Sequence, residues 1–150
     1  VMARISGLFS GKSYNMDSIT VGVTEDPTVS RMTISFTSDD RTFEQVKKQL
    51  NRSVEVIKVV DYTDIPIHKR EVLFVKVNSC SSADKDEVFR IANAFGYNIA
   101  DYNRNSILVE CVQTEDKNDN AIKLFKETFP NRIEVIRGGS VAVEAIGIAD

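Results

Sequence analysis

Apolar residues recur over the first nine positions at three- and four-residue spacing (Val1, Met2, Ile5, Leu8, Phe9), so the pattern predicts a helix burying one stripe, with Gly11 as its stop. After the turn, Met16, Ile19, Val21 and Val23 stand among Ser and Thr in a β-branched run, which predicts a strand with Asn15 at its mouth. Thr24 to Thr28 is turn-rich, and Met32, Ile34 and Phe36 then alternate with Arg31, Thr33 and Ser35, predicting a second strand antiparallel to the first. Asp39 or Asp40 can cap a following helix that carries Phe43, Val46 and Leu50 on one face, sets Glu44 four residues before Lys48, and ends near Asn51. Val54 to Val60 reads as a further strand, and Asp61 to Pro66 as a linker.

The second half repeats this order. Glu71 to Val77 predicts a strand; Asp84 followed by Glu87 marks a helix start, with Val88, Ile91, Ala92 and Phe95 as its buried face and Gly96 as its end. Tyr97 to Asp101 and Ile107 to Val112 predict two strands joined by an Asn103-Arg104-Asn105 turn. Ala121, Leu124, Phe125 and Phe129 mark a helix stopped by Pro130, and Ile133 to Arg137 its following strand, while Val141 to Ile148 adds an edge strand or closes the terminus. Local matches support a repeat: Tyr14-Asn15-Met16 against Tyr97-Asn98-Ile99, and Val54-Glu55-Val56-Ile57-Lys58 against Ile133-Glu134-Val135-Ile136-Arg137, at offsets of 83 and 79 positions. The expectation is an α+β fold of two tandem ferredoxin-like βαββαβ units, residues 1–62 and 67–150, each an antiparallel sheet with helices on one face. The first unit begins inside its helix, so about 10 to 15 residues carrying a first strand are expected to be missing before Val1.

Composition narrows the chemistry. A chain of 150 residues with 42% hydrophobic and 27% charged residues is long and apolar enough for a real core. No apolar run approaches the roughly 18 to 20 residues of a membrane span and the start is not a signal peptide, so a cytoplasmic protein is expected. A formal charge of −3 with dispersed basic residues argues against nucleic-acid binding. Cys80 and Cys111 form no CxxC or Cys/His cluster and read as small buried thiols. His68 is the one histidine, and no nucleophile elbow, HExxH, Walker loop or GxGxxG is present. Arg137-Gly138-Gly139 reads as a turn before an anion site. The carboxylates Asp84, Asp86, Glu87, Glu115 and Asp116 fall at helix starts, where the macrodipole accounts for them. At the first strand's mouth, Asn15 either shapes a turn or uses its amide to hydrogen-bond a small amino acid.

The order Leu8-Phe9-Ser10, Tyr14 to Val21 and Asp26 to Ile34, continuing through Glu44 to Leu50 and Arg70 to Val77 and weakly into Ile133 to Val143, resembles the small regulatory subunits of acetolactate synthase (acetohydroxyacid synthase). That resemblance implies an N-terminal ACT domain, lacking its first strand here, that pairs with its twin in a homodimer and binds valine at the interface. Carried over by position, the ligand residues would be Asn15 with Met16 beside it, and Val1 and Met2 at the helix start; the glycine-bearing turn that completes the family's site would precede Val1. The C-terminal unit departs more from the family pattern, notably at Phe95-Gly96-Tyr97-Asn98. The resemblance implies no catalytic residue, metal or cofactor in this chain. It implies a large catalytic partner carrying thiamine diphosphate, FAD and magnesium, which the small subunit activates and makes sensitive to valine feedback. Two rivals stay open: a stand-alone ACT-type amino-acid sensor acting on another enzyme or on transcription, and a small ferredoxin-like acyl phosphatase.

Overall fold

The computed structural model describes residues 15–53, 56 and 58–147. The helix expected over the first nine positions lies outside them. The chain divides into two compact units, residues 1–68 with 142–150 and residues 69–141.

In the first unit the alternating segments form β1 (Asn15–Val23) and β2 (Ser30–Thr37), an antiparallel pair whose ladder extends from Asn15 opposite Thr37 to Val23 opposite Ser30. Their connection is held by short polar side chains. Thr24 donates to the Val29 carbonyl through both its amide (3.0 Å) and its hydroxyl (2.9 Å), and the Asp26 carboxylate accepts from the amide (3.0 Å) and hydroxyl (2.7 Å) of Thr28. Helix α1 (Asp40–Arg52) starts where Asp39, in extended conformation, accepts from the Thr42 amide at 2.7 Å. Its apolar face buries Val46, and Phe43 stacks on Phe36 of β2 with centroids 5.1 Å apart. Glu44 meets Lys47 (3.1 Å) rather than the predicted Lys48; Lys47 also reaches Asp61 (3.2 Å), so it stands between two carboxylates.

The strand expected over 54–60 is not found where it can be followed. Val54, Glu55 and Ile57 lie outside the described residues, and Val56 and Lys58 to Val60 are not in a strand. The Val56 amide donates to the Ser53 carbonyl (3.1 Å), so that donor is spent on a local bond instead of a strand ladder. Among the described residues, the first unit's sheet has two strands.

The second sheet has the order β4-β5-β3-β6, from β3 (Ile67–Val77), β4 (Asn98–Tyr102), β5 (Ile107–Gln113) and β6 (Ile133–Glu144). With α2 (Ser82–Phe95) between β3 and β4 and α3 (Glu115–Thr128) between β5 and β6, this is the βαββαβ order of a ferredoxin-like unit. Alternate residues of the central strands, Leu73, Val75 and Val77 with Ile107, Val109 and Cys111, point to one face. They pack with Val88 and Ile91 of α2 and with Ala121, Phe125 and Phe129 at α3 and its end.

Three local expectations shift here. The α2 cap is Ser81: its hydroxyl accepts from the Asp84 amide (3.1 Å) while the Asp84 carboxylate accepts from the Ser81 amide (2.9 Å). Asp84 is thus the reciprocal partner of the capping box instead of its first residue. Phe95 is 59% exposed, not buried, because Gly96 ends α2 in a left-handed conformation (φ 74°) and Phe95 stacks on Tyr97 at 5.6 Å. Arg137-Gly138-Gly139 is no turn: β6 runs through it to Glu144, joining the predicted edge strand to the one before it, with only Gly139 at positive φ (81°).

Candidate functional site

Asn15 opens β1, and its backbone pairs with Thr37 at the end of β2. Met16 is half-buried opposite Phe36, whose ring stacks on Phe43. Between Met16 and Ser18 the ladder slips by one residue, a bulge that leaves Asp17 without a partner position on β2. The extra residue turns Asp17 outward, where its carboxylate accepts from the Thr37 hydroxyl at 3.2 Å. The ribbon therefore ends in a polar mouth next to an aromatic pair, the two kinds of surface that an amino acid with an apolar side chain requires. Of the four residues proposed to touch a ligand, the structure places Asn15 and Met16 side by side on β1, while Val1 and Met2 lie outside the described residues. The bulge had no signal in the pattern of apolar residues.

The repeat-related position behaves alike. Asn98 opens β4 as Asn15 opens β1; Asn98 is exposed and pairs with Glu110 of β5.

A polar cluster unforeseen in the sequence closes one end of the second unit's core. Glu71, with only 4% of its side chain exposed, accepts from Arg137 Nε (3.0 Å) and from Asn118 Nδ2 (2.9 Å). Arg137 also binds Asp119 (2.6 Å) and donates to the Glu115 carbonyl (3.3 Å), and the Ser140 hydroxyl donates to the Glu115 carboxylate. Arg137 does contact anions, therefore, but they are the chain's own carboxylates. The one available signal was an acid, Glu71, heading an apolar strand.

The first unit also carries an open groove of about 680 Å³, with Arg31, Lys58, Asp61, Tyr62 and Glu144 in its lining. Two cations and two carboxylates share it, so its charge selects neither anion nor cation.

Titration shifts follow packing. The Arg132 guanidinium, 2.9 Å away, and the Ser81 amide hold the Asp84 carboxyl at about 2. Burial pushes the Cys111 thiol up to about 12 and raises Cys80 and Tyr97 as well. Among the described residues no group of three or more His, Cys, Asp or Glu is placed to hold a metal ion, and no helix is long and apolar enough to cross a membrane.

Residues 70–146 match the family model "Small subunit of acetolactate synthase", and residues 1–58 match "AHAS small subunit-like ACT domain". The acetolactate synthase small subunit of Aquifex aeolicus is 41% identical over 144 residues, covering 95% of this chain and 73% of that protein. That of Haemophilus influenzae is 37% identical over 142 residues, covering 95% and 86%. The crystal structure of the small subunit from Thermotoga maritima superposes with a TM-score of 0.81 at 33% identity, covering 96% of this chain and 88% of that one. With both parts of the chain matched, and relatives this similar along most of its length, the chain belongs to the acetolactate synthase small-subunit family.

Proposed function

We propose that the chain is the non-catalytic regulatory subunit of a cytoplasmic acetolactate synthase, raising the activity of a large catalytic subunit and conferring feedback inhibition by valine. The large subunit would carry the thiamine diphosphate, FAD and magnesium that the chemistry needs. Family membership supports the partner, and the bulged mouth of β1, with Asn15 beside Met16, is the observation that carries the ligand reading. Valine would bind where two ACT domains meet, with Asn15 hydrogen-bonding its charged groups and Met16, Val1 and Met2 nearby.

Such a ligand regulates only if it binds one arrangement of the paired domains better than another. Valine would then shift the population of dimers offered to the catalytic subunit, and by linkage the catalytic subunit would change the affinity for valine by the same factor. Calorimetry of the intact protein with valine, leucine and isoleucine tests this, with heat and thermal stabilisation expected for valine; no response to any of the three refutes it. Truncating Asn15 removes a hydrogen bond to a charged group, about 1.5–3 kcal/mol, so Asn15→Ala should weaken valine binding roughly 10- to 150-fold. Activation of the catalytic subunit should survive in that variant. Loss of both together would assign Asn15 to folding or pairing instead.

A further inference from the structure

In an unbroken ladder the residue after Met16 would stand opposite Ser35; the slip gives that place to Ser18 and leaves Asp17 over. The Asp17 carboxylate instead meets the hydroxyl of Thr37, the residue opposite Asn15, through Oδ2 at 3.2 Å. Thr37 spends its one hydroxyl donor on that oxygen, so Oδ1 keeps its acceptor capacity. Asp17 is exposed, and among the described residues the lysines and arginines form their ion pairs with other carboxylates. An acid that is tethered but not neutralised, beside Met16, is what a ligand's cation requires. We infer that Asp17 recognises the ammonium group of the bound ligand while the Thr37 hydroxyl steadies the carboxylate, so that the mouth of β1 takes α-amino acids and rejects carboxylic acids of the same side chain. This rests on the reading of that mouth as the valine site.

The ligand class follows from charge. An amino acid brings an ammonium group that only donates and a carboxylate that only accepts. Asp17, when ionised, has no donor and serves the first alone, whereas the Asn15 amide has donors for the second. A hydrogen bond between ionised partners is also stronger than one between neutral groups. Towards an acid without the ammonium group the same carboxylate is a like charge, so one side chain both attracts and excludes. The backbone aims it. Asn15 and Met16 on one side of the bulge and Ser18 on the other stay paired with β2, so Asp17 projects from a fixed frame, and re-aiming a side chain is a common use of such a bulge. A bulge with a charge also blunts an edge strand, but either sign of charge serves that purpose, and only recognition of a cation requires an acid.

Calorimetry of the intact protein with L-valine, and with 3-methylbutanoate as a competitor that keeps the side chain and carboxylate but has no ammonium group, tests this. Asp17→Asn is close in shape and removes the charge. It should weaken valine about tenfold, the low end for losing a hydrogen bond to a charged group, and bind 3-methylbutanoate at least as well as the parent does. Asp17→Glu restores the charge and should recover part of the affinity for valine. An unchanged valine affinity in Asp17→Asn, or equal losses for both ligands with the parent's circular dichroism, overturns the proposal and leaves the valine site standing. A Glu variant no better than the Asn variant overturns it as well, and assigns Asp17 to shaping the bulge. No binding of valine to the parent overturns the proposal and the site together.

Discussion

Replacing Arg137 by Met tests whether the polar cluster at the end of the second unit holds that end together. Three donor contacts converge on the single oxygen Glu71 Oε1: Arg137 Nε (3.0 Å), Arg137 Nη2 (2.8 Å) and Asn118 Nδ2 (2.9 Å). Arg137→Met removes two of them and the only cation, leaving a carboxylate with 4% of its side chain exposed. Breaking a fully buried pair from one side costs about 3–5 kcal/mol. The Arg137 side chain is 32% exposed, so water reaches part of the site and the lower range of about 2–3 kcal/mol is expected. For a chain of this length that is a fall of about 4–12 °C in Tm. Glu71→Gln should be milder, because its amide oxygen still accepts from Asn118, and the double variant should lose less than the two single losses together. Urea unfolding of the four proteins by circular dichroism gives the coupling, expected to exceed about 1 kcal/mol. A loss below about 0.5 kcal/mol for Arg137→Met, or additivity within about 0.3 kcal/mol, would refute the reasoning.

Acid should find Asp84 next. Its folded carboxyl sits near 2, below the ordinary 3.8, so its contribution to stability is whole above that ordinary value and fades as pH falls from about 4 to about 2; Asp84→Asn should flatten the acid limb of a pH–stability curve in that window alone. A variant curve parallel to the parent's there would count against the Arg132 and Ser81 contacts as the cause. Both cysteines are buried and their thiols are pushed up, Cys111 to about 12, so the folded protein at pH 8 should show no fast-reacting thiol with a chromogenic disulfide reagent and two in denaturant; a fast equivalent in the native state would contradict this. Gly96 ends α2 at φ 74°, where an added Cβ would meet nothing within 4 Å, so Gly96→Ala should cost about 1–2 kcal/mol through backbone strain alone, with Gly96→Asn milder by thermal melts.

The periodicity of apolar residues was enough for β1, β2, α1 and every element of the second unit, because each depends on a local rule: side chains alternate in a strand and return every three to four residues in a helix. Stops were equally local. Gly96 ends α2 and the chain beyond Phe129 leaves α3, as glycine and Pro130 dictate. Caps were harder, since Ser81 and Asp84 are both good candidates and only the reciprocal hydrogen bonds, completed by Arg132 from far along the chain, choose between them. Gly138-Gly139 misled for a related reason: glycine permits a turn but does not require one, and pairing of β6 with the sheet kept the strand running.

For the candidate site, the sequence by itself determined that Asn15 heads a strand next to Met16 and that the order of residues resembles one family. It could not determine the bulge at Asp17, because a one-residue slip is a property of two strands aligned, not of either alone. The convergence of Arg137 and Asn118 on Glu71 is likewise beyond local pattern, since it joins residues 47 and 66 positions apart. The same holds for the open sheet face. A run such as Val72 to Val75 announces apolar surface on both sides of a strand, but only the packed fold decides which side the helices cover and which stays open.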